Sequence, residues 1–187
     1  MTVRNSTVTG SGYYGIALLS RGLTIAENNI ADSNGFLGGD TEYYGLYLIA
    51  ADPDTPITIA NNTVTRNRNG VLFGNFRDFT LPGFDLVREN LGTVYRLDGT
   101  RNVTIHETGT DTNAGACYYH LTSAKNLTIA DSVFSPSDTG VYFDGVDGRD
   151  ILLTNLTMNN PGDMGIFVNG VVTNLTIGDT TITDPVN

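Results

Sequence analysis

The sequence predicts an all-β solenoid of about seven coils, each about 24 residues long and built from three short parallel strands. Three observations predict it: a repeated apolar triplet, a residue at a fixed distance after it, and a third segment that usually begins with glycine. A unit of this length is too small to bury its own apolar side chains and must stack on its neighbours. The 187 residues, 40% of them hydrophobic, suffice for one substantial domain.

The first strand of each coil is an apolar–polar–apolar triplet, with Leu152 as the one apolar residue at a central position. The triplets start 34, 22, 24, 24, 24 and 24 residues apart: Leu23-Thr24-Ile25, Ile57-Thr58-Ile59, Phe79-Thr80-Leu81, Val103-Thr104-Ile105, Leu127-Thr128-Ile129, Ile151-Leu152-Leu153 and Leu175-Thr176-Ile177. Alternation with a period of two in runs this short indicates strand, and no stretch keeps apolar residues at helical spacing for long.

The second strand is marked by a residue seven positions after the start of each triplet, an interval that does not change. These anchors are Ile30, Val64, Leu86, Thr110, Phe134, Met158 and Ile182, and Val8 has the same role in an incomplete opening coil. Two positions before the anchors lie Ser6, Asn28, Asn62, Thr108, Ser132 and Thr180. We expect these polar side chains to form a ladder that hydrogen-bonds to the backbone at a fixed corner.

The third strand usually begins with glycine and continues with alternating side chains. It comprises Gly15-Ile16-Ala17-Leu18, Gly45-Leu46-Tyr47-Leu48, Gly70-Val71-Leu72-Phe73, Gly140-Val141-Tyr142-Phe143 and Gly165-Ile166-Phe167-Val168, with Ala116-Cys117-Tyr118-Tyr119 at the same position. This alignment places Cys117, the only cysteine, in an inward column with Val141. Short links rich in Gly, Asn, Asp and Ser form the corners.

One coil departs from this pattern, and its register follows from the cost of burying a charge. If Val94 faced inward then Arg96 would too, and an unpaired buried guanidinium costs several kcal/mol or more. A shift by one residue exchanges the two faces completely. We therefore expect Tyr95 and Leu97 inside, with Arg96 and Asp98 outside.

Three such strands per coil, each pairing with its equivalent in the next coil about 4.8 Å away, form a right-handed parallel β-helix. The segment Asn126-Leu127-Thr128-Ile129-Ala130-Asp131-Ser132 resembles the typical repeat of the pectate-lyase-like superfamily and of the parallel β-helix repeats in alginate epimerases. The resemblance extends over nearly the whole chain and implies the fold. It also implies carbohydrate chemistry, because members of that superfamily carry out β-elimination on uronates at a lateral strand face. The calcium-and-arginine motif of pectate lyases and the Tyr-Gly-x-Asp-Pro-His string of alginate epimerases have no match in the sequence.

The outer face of the third strands is predicted to carry two adjacent columns that differ from an ordinary solvated surface. The first is Ala17, Tyr47, Leu72, Arg96, Tyr118, Tyr142 and Phe167, and the second is Ile49, Gly74, Asp98, His120, Asp144 and Asn169. Aromatic faces suit sugar rings, so we expect this face to bind an extended saccharide through Tyr47, Tyr142, Phe167 and Asn169. His120 is expected between Asp98 and Asp144, whose carboxylates would orient and charge the imidazole.

These columns contain the groups that β-elimination on a uronate polymer needs. Arg96 would neutralise the substrate carboxylate, His120 or Tyr118 would take the adjacent proton, and the other tyrosine would protonate the leaving oxygen. Two alternatives stay open. Asp98 and Asp144, about 9.6 Å apart over two coils, lie at the wide limit for an inverting glycoside hydrolase of the polygalacturonase or tailspike kind. A non-catalytic glycan-binding, adhesion or structural surface needs only the aromatic column.

Composition limits the partners. The net charge of -10 and pI near 4.3 argue against nucleic acid or an anionic membrane, both of which favour basic patches. No apolar run has membrane-spanning length, and no signal peptide opens the sequence. We expect a polysaccharide as partner and, with it, a secreted or cell-surface location.

We expect residues 1–187 to form a single β-helix domain, with incomplete coils at 1–22 and 175–187. Neither end shows a cap, so the chain is expected to be an excerpt of a longer protein, or to have its ends covered by further domains or in a homo-oligomer. Insertions at 36–43 and 52–56 flank the Tyr47 strand. Asp144, Asp147 and Asp150 form a candidate calcium site, which turn-forming Asp and Gly explain equally well. No other cofactor is predicted.

Overall fold

The computed structural model is an all-β parallel solenoid of about six coils, close to the seven predicted, and each coil contributes three strand segments. It describes residues 1–27, 29–32, 34, 43–52, 55–82, 86–106, 117–135, 138–159 and 161–183. Within those ranges no helix has the length and apolarity needed to cross a membrane. The predicted loop at 36–43 lies outside the described residues except for Tyr43, and the predicted loop at 52–56 lies partly outside them. Three residues of the predicted polar ladder and anchors also lie outside them: Asn28, Thr108 and Thr110.

The first and second strands of each coil pair in parallel with their counterparts in the next coil. The first strands are β1 (Thr2–Arg4), β4 (Thr24–Glu27), β7 (Thr55–Ala60), β10 (Phe76–Pro82), β13 (Arg101–His106) and the opening part of β15 (Lys125–Phe134). The second strands are β2 (Thr7–Thr9), β5 (Ile30–Asp32), β8 (Thr63–Thr65) and β11 (Leu86–Arg88), which form a four-stranded sheet, followed by the closing parts of β15 and of β16 (Thr139–Asn159), and by β18 (Thr181–Thr183).

The third strands form the face on which the candidate site lies. They are β3 (Ile16–Ser20), β6 (Tyr44–Ala50), β9 (Asn69–Gly74), β12 (Tyr95–Asp98) and β14 (Cys117–Thr122), followed by β16 (Thr139–Asn159) and β17 (Met164–Gly178). Both β16 and β17 begin on this face and continue around a corner, because their later residues pair with first strands of the neighbouring coils.

The core is a set of apolar columns, since equivalent residues of successive coils lie next to each other along the solenoid. Val103, Leu127 and Ile151 form one such column, and each is only 1% exposed. Full burial of a side chain of this size is worth about 1.5–3 kcal/mol. The constant 24-residue spacing of these three residues therefore reflects the packing that stabilises the fold.

Two ladders of buried asparagines satisfy the backbone around the second strands. In the first, Asn29 Nδ2 donates to Asn62 Oδ1 at 3.0 Å. In the second, Asn34 Nδ2 donates to Asn67 Oδ1 at 2.9 Å, and Asn67 Nδ2 donates to Asn90 Oδ1 at 3.2 Å. The sequence predicts the polar corner at Asn62, which belongs to the first ladder. It does not predict the second ladder, whose asparagines lie three residues after the inward-facing residue of each second strand.

The ladders also shift two of the predicted anchors by one residue. Ala31 and Val87 pair with Val64, so the predicted anchors Ile30 and Leu86 are wrong, and Ile30 is 42% exposed. The physical reason is the cost of an unsatisfied buried amide, about 1–3 kcal/mol for each group. At Ile30, keeping both ladders bonded outweighs burying the larger apolar side chain.

The first strand of the same coil shifts in the same direction. Thr24 pairs with Ile57 and Ala26 pairs with Ile59. Thr24 and Ala26 are fully buried. Leu23, predicted to lie in the core, is 52% exposed. The predicted triplet is therefore one residue out of register in this coil, because the buried asparagines further along fix where the strand begins.

Candidate functional site

One outward column of the third strands brings together four residues that can take part in binding or catalysis. Arg96 of β12 is in register with His120 of β14, His120 with Tyr142 of β16, and Tyr142 with Phe167 of β17. The residues on either side of Arg96 in the chain are buried, so its predicted outward position is confirmed. A cation, an imidazole and two aromatic rings thus lie on consecutive strands.

Tyr118 is not on this face, and its predicted position is wrong. Its side chain is 1% exposed and stacks on Phe134, with the ring centroids 4.6 Å apart. Tyr119, rather than Cys117, is in register with Val141 and fills the inward column. Cys117 is still buried, at 5% exposure, but it lies two residues earlier in the strand. A catalytic role for Tyr118 is therefore dropped.

The same shift moves His120 from the column of Asp98 to the column of Arg96. The stretch from the first strand β13 to the third strand β14 is two residues longer than the equivalent stretch from β15 to β16. The stretch from β14 to the next first strand, in β15, is two residues shorter than the equivalent stretch in the following coil. Because these differences cancel, the 24-residue period hides them and the sequence pattern is two residues out of register at β14.

Asp144 joins His120 and Tyr142 in a hydrogen-bonded network. His120 Nε2 lies 3.1 Å from Asp144 Oδ2, and the Tyr142 hydroxyl donates to Asp144 Oδ1 at 3.3 Å. Asn169 Nδ2 donates to the Tyr142 hydroxyl oxygen at 3.1 Å. The side chain of His120 is 16% exposed and that of Asp144 is 42% exposed. A carboxylate facing Nε2 favours the tautomer protonated there, which leaves Nδ1 as the basic nitrogen.

The rings of His120, Tyr142 and Phe167 form a stack along this face. The centroids of His120 and Tyr142 are 5.0 Å apart at an interplanar angle of 23°, and those of Tyr142 and Phe167 are 5.2 Å apart at 8°. Phe167 at the end of the stack is 37% exposed. An exposed aromatic face held in a fixed plane is suited to packing against a sugar ring.

A groove of about 520 Å³ runs beside the stack, along the beginnings of the third strands. Its lining includes one residue at, or just before, the start of each successive third strand: Tyr44, Asn69, Thr93, Cys117, Thr139 and Met164. Arg96, His120, Tyr142 and Phe167 line it as well. Six strands at the parallel spacing give the groove a length of about 24 Å.

Three charged residues of the groove were not predicted: Arg68, Asp138 and Asp163. Each lies two positions before the glycine that opens its third strand. That common offset is the sequence signal that identifies them, whereas the predicted columns begin at the glycine. They extend the site from the strand face to the corner that precedes it.

Tyr47 and Asp98 occupy the columns predicted for them, but neither joins the network. The Tyr47 ring contacts that of Tyr14, with centroids 4.5 Å apart. Leu72, which is 5% exposed, separates Tyr47 from the charged part of the column. Asp98 is in register with Thr122 rather than with an imidazole.

The predicted calcium ligands Asp144, Asp147 and Asp150 do not converge. Asp147 lies 2.6 Å from Lys125 Nζ and also bonds to Arg149, and these two cations lower the pKa of Asp147 to about 2. Asp150 accepts a hydrogen bond from an asparagine of the next coil. Within the described ranges, no group of three His, Cys, Asp or Glu side chains is arranged to hold a metal ion.

A family model described as right handed beta helix region matches residues 1–145. The chain belongs to this right-handed β-helix family. The match includes Arg96, His120 and Asp144 and ends before β17. Neither the curated proteins nor the solved structures include a match. The predicted right-handed parallel β-helix is confirmed, and because one fold serves many functions, the function must be inferred from the site.

Proposed function

We propose that the protein binds an acidic polysaccharide along the groove and cleaves it by β-elimination at His120. The observation that best supports this is the order of Arg96, His120 and Tyr142 on three consecutive strands, with His120 held by Asp144. About 4.8 Å separates each strand from the next. A cation, a base and an acid at that spacing can all contact one uronate residue and the bond beside it.

Each of the three groups has one task in this reaction. Arg96 binds the uronate carboxylate and stabilises the negative charge that develops when the neighbouring carbon loses its proton. His120 takes that proton on the nitrogen that does not face Asp144. The released electron pair forms a carbon–carbon double bond as the glycosidic carbon–oxygen bond breaks. The Tyr142 hydroxyl turns from Asp144 to the leaving oxygen and protonates it. Exchange with water then returns His120 and Tyr142 to their starting protonation states.

The rest of the site positions the reacting groups and the polymer. Asp144 orients both His120 and Tyr142, because each of its two oxygens contacts one of them. Asn169 holds the Tyr142 hydroxyl, and the exposed Phe167 ring offers a stacking surface to the next sugar. A substrate of this kind is extracellular, so the proposal includes a secreted or cell-surface location.

The experiment compares His120→Ala with His106→Ala on a panel of uronate-containing and neutral polysaccharides. His106 is the other histidine of the chain and also lies beside a carboxylate, 3.5 Å from Asp131, but on β13. The parent and His106→Ala should release reducing ends together with an ultraviolet signal from the new double bond. His120→Ala should be slower by about 100-fold or more. Unchanged turnover in His120→Ala contradicts the proposal, and reducing ends without the ultraviolet signal indicate hydrolysis.

Glycan binding without catalysis is a second candidate, which the ring stack alone would support. In that case Tyr142→Ala and Phe167→Ala should weaken binding, His120→Ala should have little effect, and the parent should release no ends from any polymer. Retained binding without end release decides in favour of this candidate.

A further inference from the structure

A group of tyrosines lies at the β3 and β6 end of the third-strand face, away from the His120 network. The ring centroids of Tyr14 and Tyr47 are 4.5 Å apart, those of Tyr13 and Tyr43 are 4.9 Å apart, and those of Tyr14 and Tyr43 are 5.3 Å apart. Tyr44 joins the group through Tyr47, with their centroids 6.3 Å apart. These separations are typical of interacting aromatic rings. We call these residues the tyrosine cluster: Tyr13, Tyr14, Tyr43, Tyr44 and Tyr47.

Most of the tyrosine cluster lies outside the core. Tyr47 stands between Leu46 and Leu48 in β6, which are 1% and 0% exposed, so Tyr47 is on the outward face of the strand. The Tyr13 side chain is 56% exposed although its ring contacts that of Tyr43. The core is thus filled without these rings. A group of exposed aromatic side chains on a solvated face is typical of a binding site.

The groove leads directly to the tyrosine cluster. Tyr44 lines the end of the groove and is in register with Asn69, so Tyr43 lies beside Arg68, one residue earlier on both strands. Three strand spacings, or about 14 Å, separate His120 on β14 from β6, and one more spacing leads to β3. A saccharide that contacts His120 and continues past Arg68 therefore reaches the cluster.

The charges of the groove determine on which side of His120 the longer part of an acidic polymer lies. Arg68 and Arg96 line the part between His120 and the tyrosine cluster. Asp138 and Asp163, which precede β16 and β17, line the part on the other side. The carboxylates of the polymer are attracted by the arginines and repelled by the aspartates. The polymer is therefore expected to extend from His120 towards the cluster, with only a short part on the aspartate side.

We propose that the tyrosine cluster is a second saccharide-binding subsite, which holds the units of the acidic polymer that lie about 14 Å or more from the cleaved bond. Tyrosine rings pack against the faces of sugar rings, and tyrosine hydroxyls can hydrogen-bond to sugar oxygens. This inference rests on the β-elimination proposed above and adds a preference for long chains to it. The tyrosines of the cluster bind the polymer and take no part in the reaction.

The test measures affinity as a function of chain length in the His120→Ala variant, so that turnover does not interfere. Galacturonate and mannuronate oligomers, each as a dimer and as an octamer, are titrated by calorimetry. The dimer covers only the cleaved bond, whereas the octamer reaches the cluster. Tyr13→Ala combined with Tyr47→Ala should weaken octamer binding about tenfold and leave dimer binding unchanged. Leu152→Ala, which removes an outward apolar side chain from the face of the first strands, should change neither.

A spectroscopic measurement on the His120→Ala variant, with every tyrosine intact, applies even where thermal unfolding shows that the double tyrosine variant does not fold. The chain has no tryptophan, so its near-ultraviolet circular dichroism comes mainly from tyrosines. The octamer should change the tyrosine bands more than the dimer does, because it contacts the cluster as well as Tyr142.

Three results would overturn this inference: an unchanged octamer affinity in a folded double variant, equal losses for the dimer and the octamer, or identical spectral changes with the two oligomers. If the parent at the same time cleaves a uronate polymer with the ultraviolet signal, the β-elimination proposal stands and only the second subsite is wrong. If no oligomer binds and the parent cleaves no polymer, both proposals are wrong.

Discussion

His120 Nε2 lies 3.1 Å from Asp144 Oδ2, although the two residues belong to adjacent coils and to different columns of the same face. The contact is diagonal, because His120 is in register with Tyr142, whose hydroxyl donates to the other Asp144 oxygen at 3.3 Å. One carboxylate thus holds both of the groups that exchange protons in the proposed reaction. In that proposed reaction Asp144 acts as a positioning residue, so its removal should affect catalysis more than binding.

Asp144→Asn should lower turnover by about 100-fold and leave substrate binding nearly unchanged. The asparagine amide can donate to Nε2, which favours the tautomer protonated at Nδ1 and removes the basic nitrogen. Steady-state rates from the ultraviolet signal give kcat and KM, and Asp179→Asn serves as the matched control. A rise in KM with kcat unchanged would show that Asp144 contacts the substrate instead of orienting His120.

Asn67→Ala should lower the free energy of unfolding by about 3 kcal/mol. Asn67 is fully buried, donates to the Ala31 carbonyl at 2.9 Å, and accepts from both the backbone N–H and the side chain of Asn34. The alanine would leave these buried groups without partners. Urea unfolding measures the change, and Asn159→Ala, whose side-chain oxygen accepts one exposed hydrogen bond from Thr183, should cost no more than about 0.5 kcal/mol. Equal losses in the two variants would mean that the inner ladder has no special role.

The sequence predicts best those residues whose partner lies at the same position one coil away. Leu127, Phe134 and Met158 illustrate this, because a constant 24-residue spacing and burial of apolar area point to the same register. Tyr118 could not be placed that way, since two opposite changes in coil length leave the period intact. Ala31 was missed because a buried amide ladder overrides side-chain size, and such ladders depend on contacts that apolar patterning does not encode.

The sequence predicts the contact between His120 and Asp144 even though it places His120 in the wrong register, and the reason is geometric. A shift of two residues within a parallel pair turns a direct neighbour into a diagonal one on the same face, still within reach of long side chains. The face was therefore predicted correctly while the column was not. Had the error been one residue, His120 would have been placed inside the core.

Gly140→Ala should destabilise the protein by about 3 kcal/mol. A Cβ at Gly140 would lie 2.5 Å from the Gly165 carbonyl oxygen and 2.6 Å from Met158 Sδ, so the backbone of the next coil would have to move. Gly22→Ala is the matched control, because a Cβ there meets no atom within 4 Å. Thermal or urea unfolding should show a change within about 0.5 kcal/mol for the control. A similar small change for Gly140→Ala would mean that neighbouring coils can separate at little cost.

Cys117 should resist thiol reagents in the folded protein even though it lines the groove. Burial raises the pKa of the Cys117 thiol to about 12, because the thiolate would lose its hydration, so at pH 8 the thiolate fraction is on the order of 1 in 10,000. In the unfolded chain the pKa returns to near 8.5 and about a quarter of the thiol ionises. An aromatic disulfide reagent, followed by absorbance, should therefore react about a thousandfold more slowly in buffer than in urea, with one thiol released per chain. Cys117→Ser should give no signal in either condition. Fast reaction of the folded parent would show that the groove floor opens to solvent, which would contradict the 5% exposure of the Cys117 side chain.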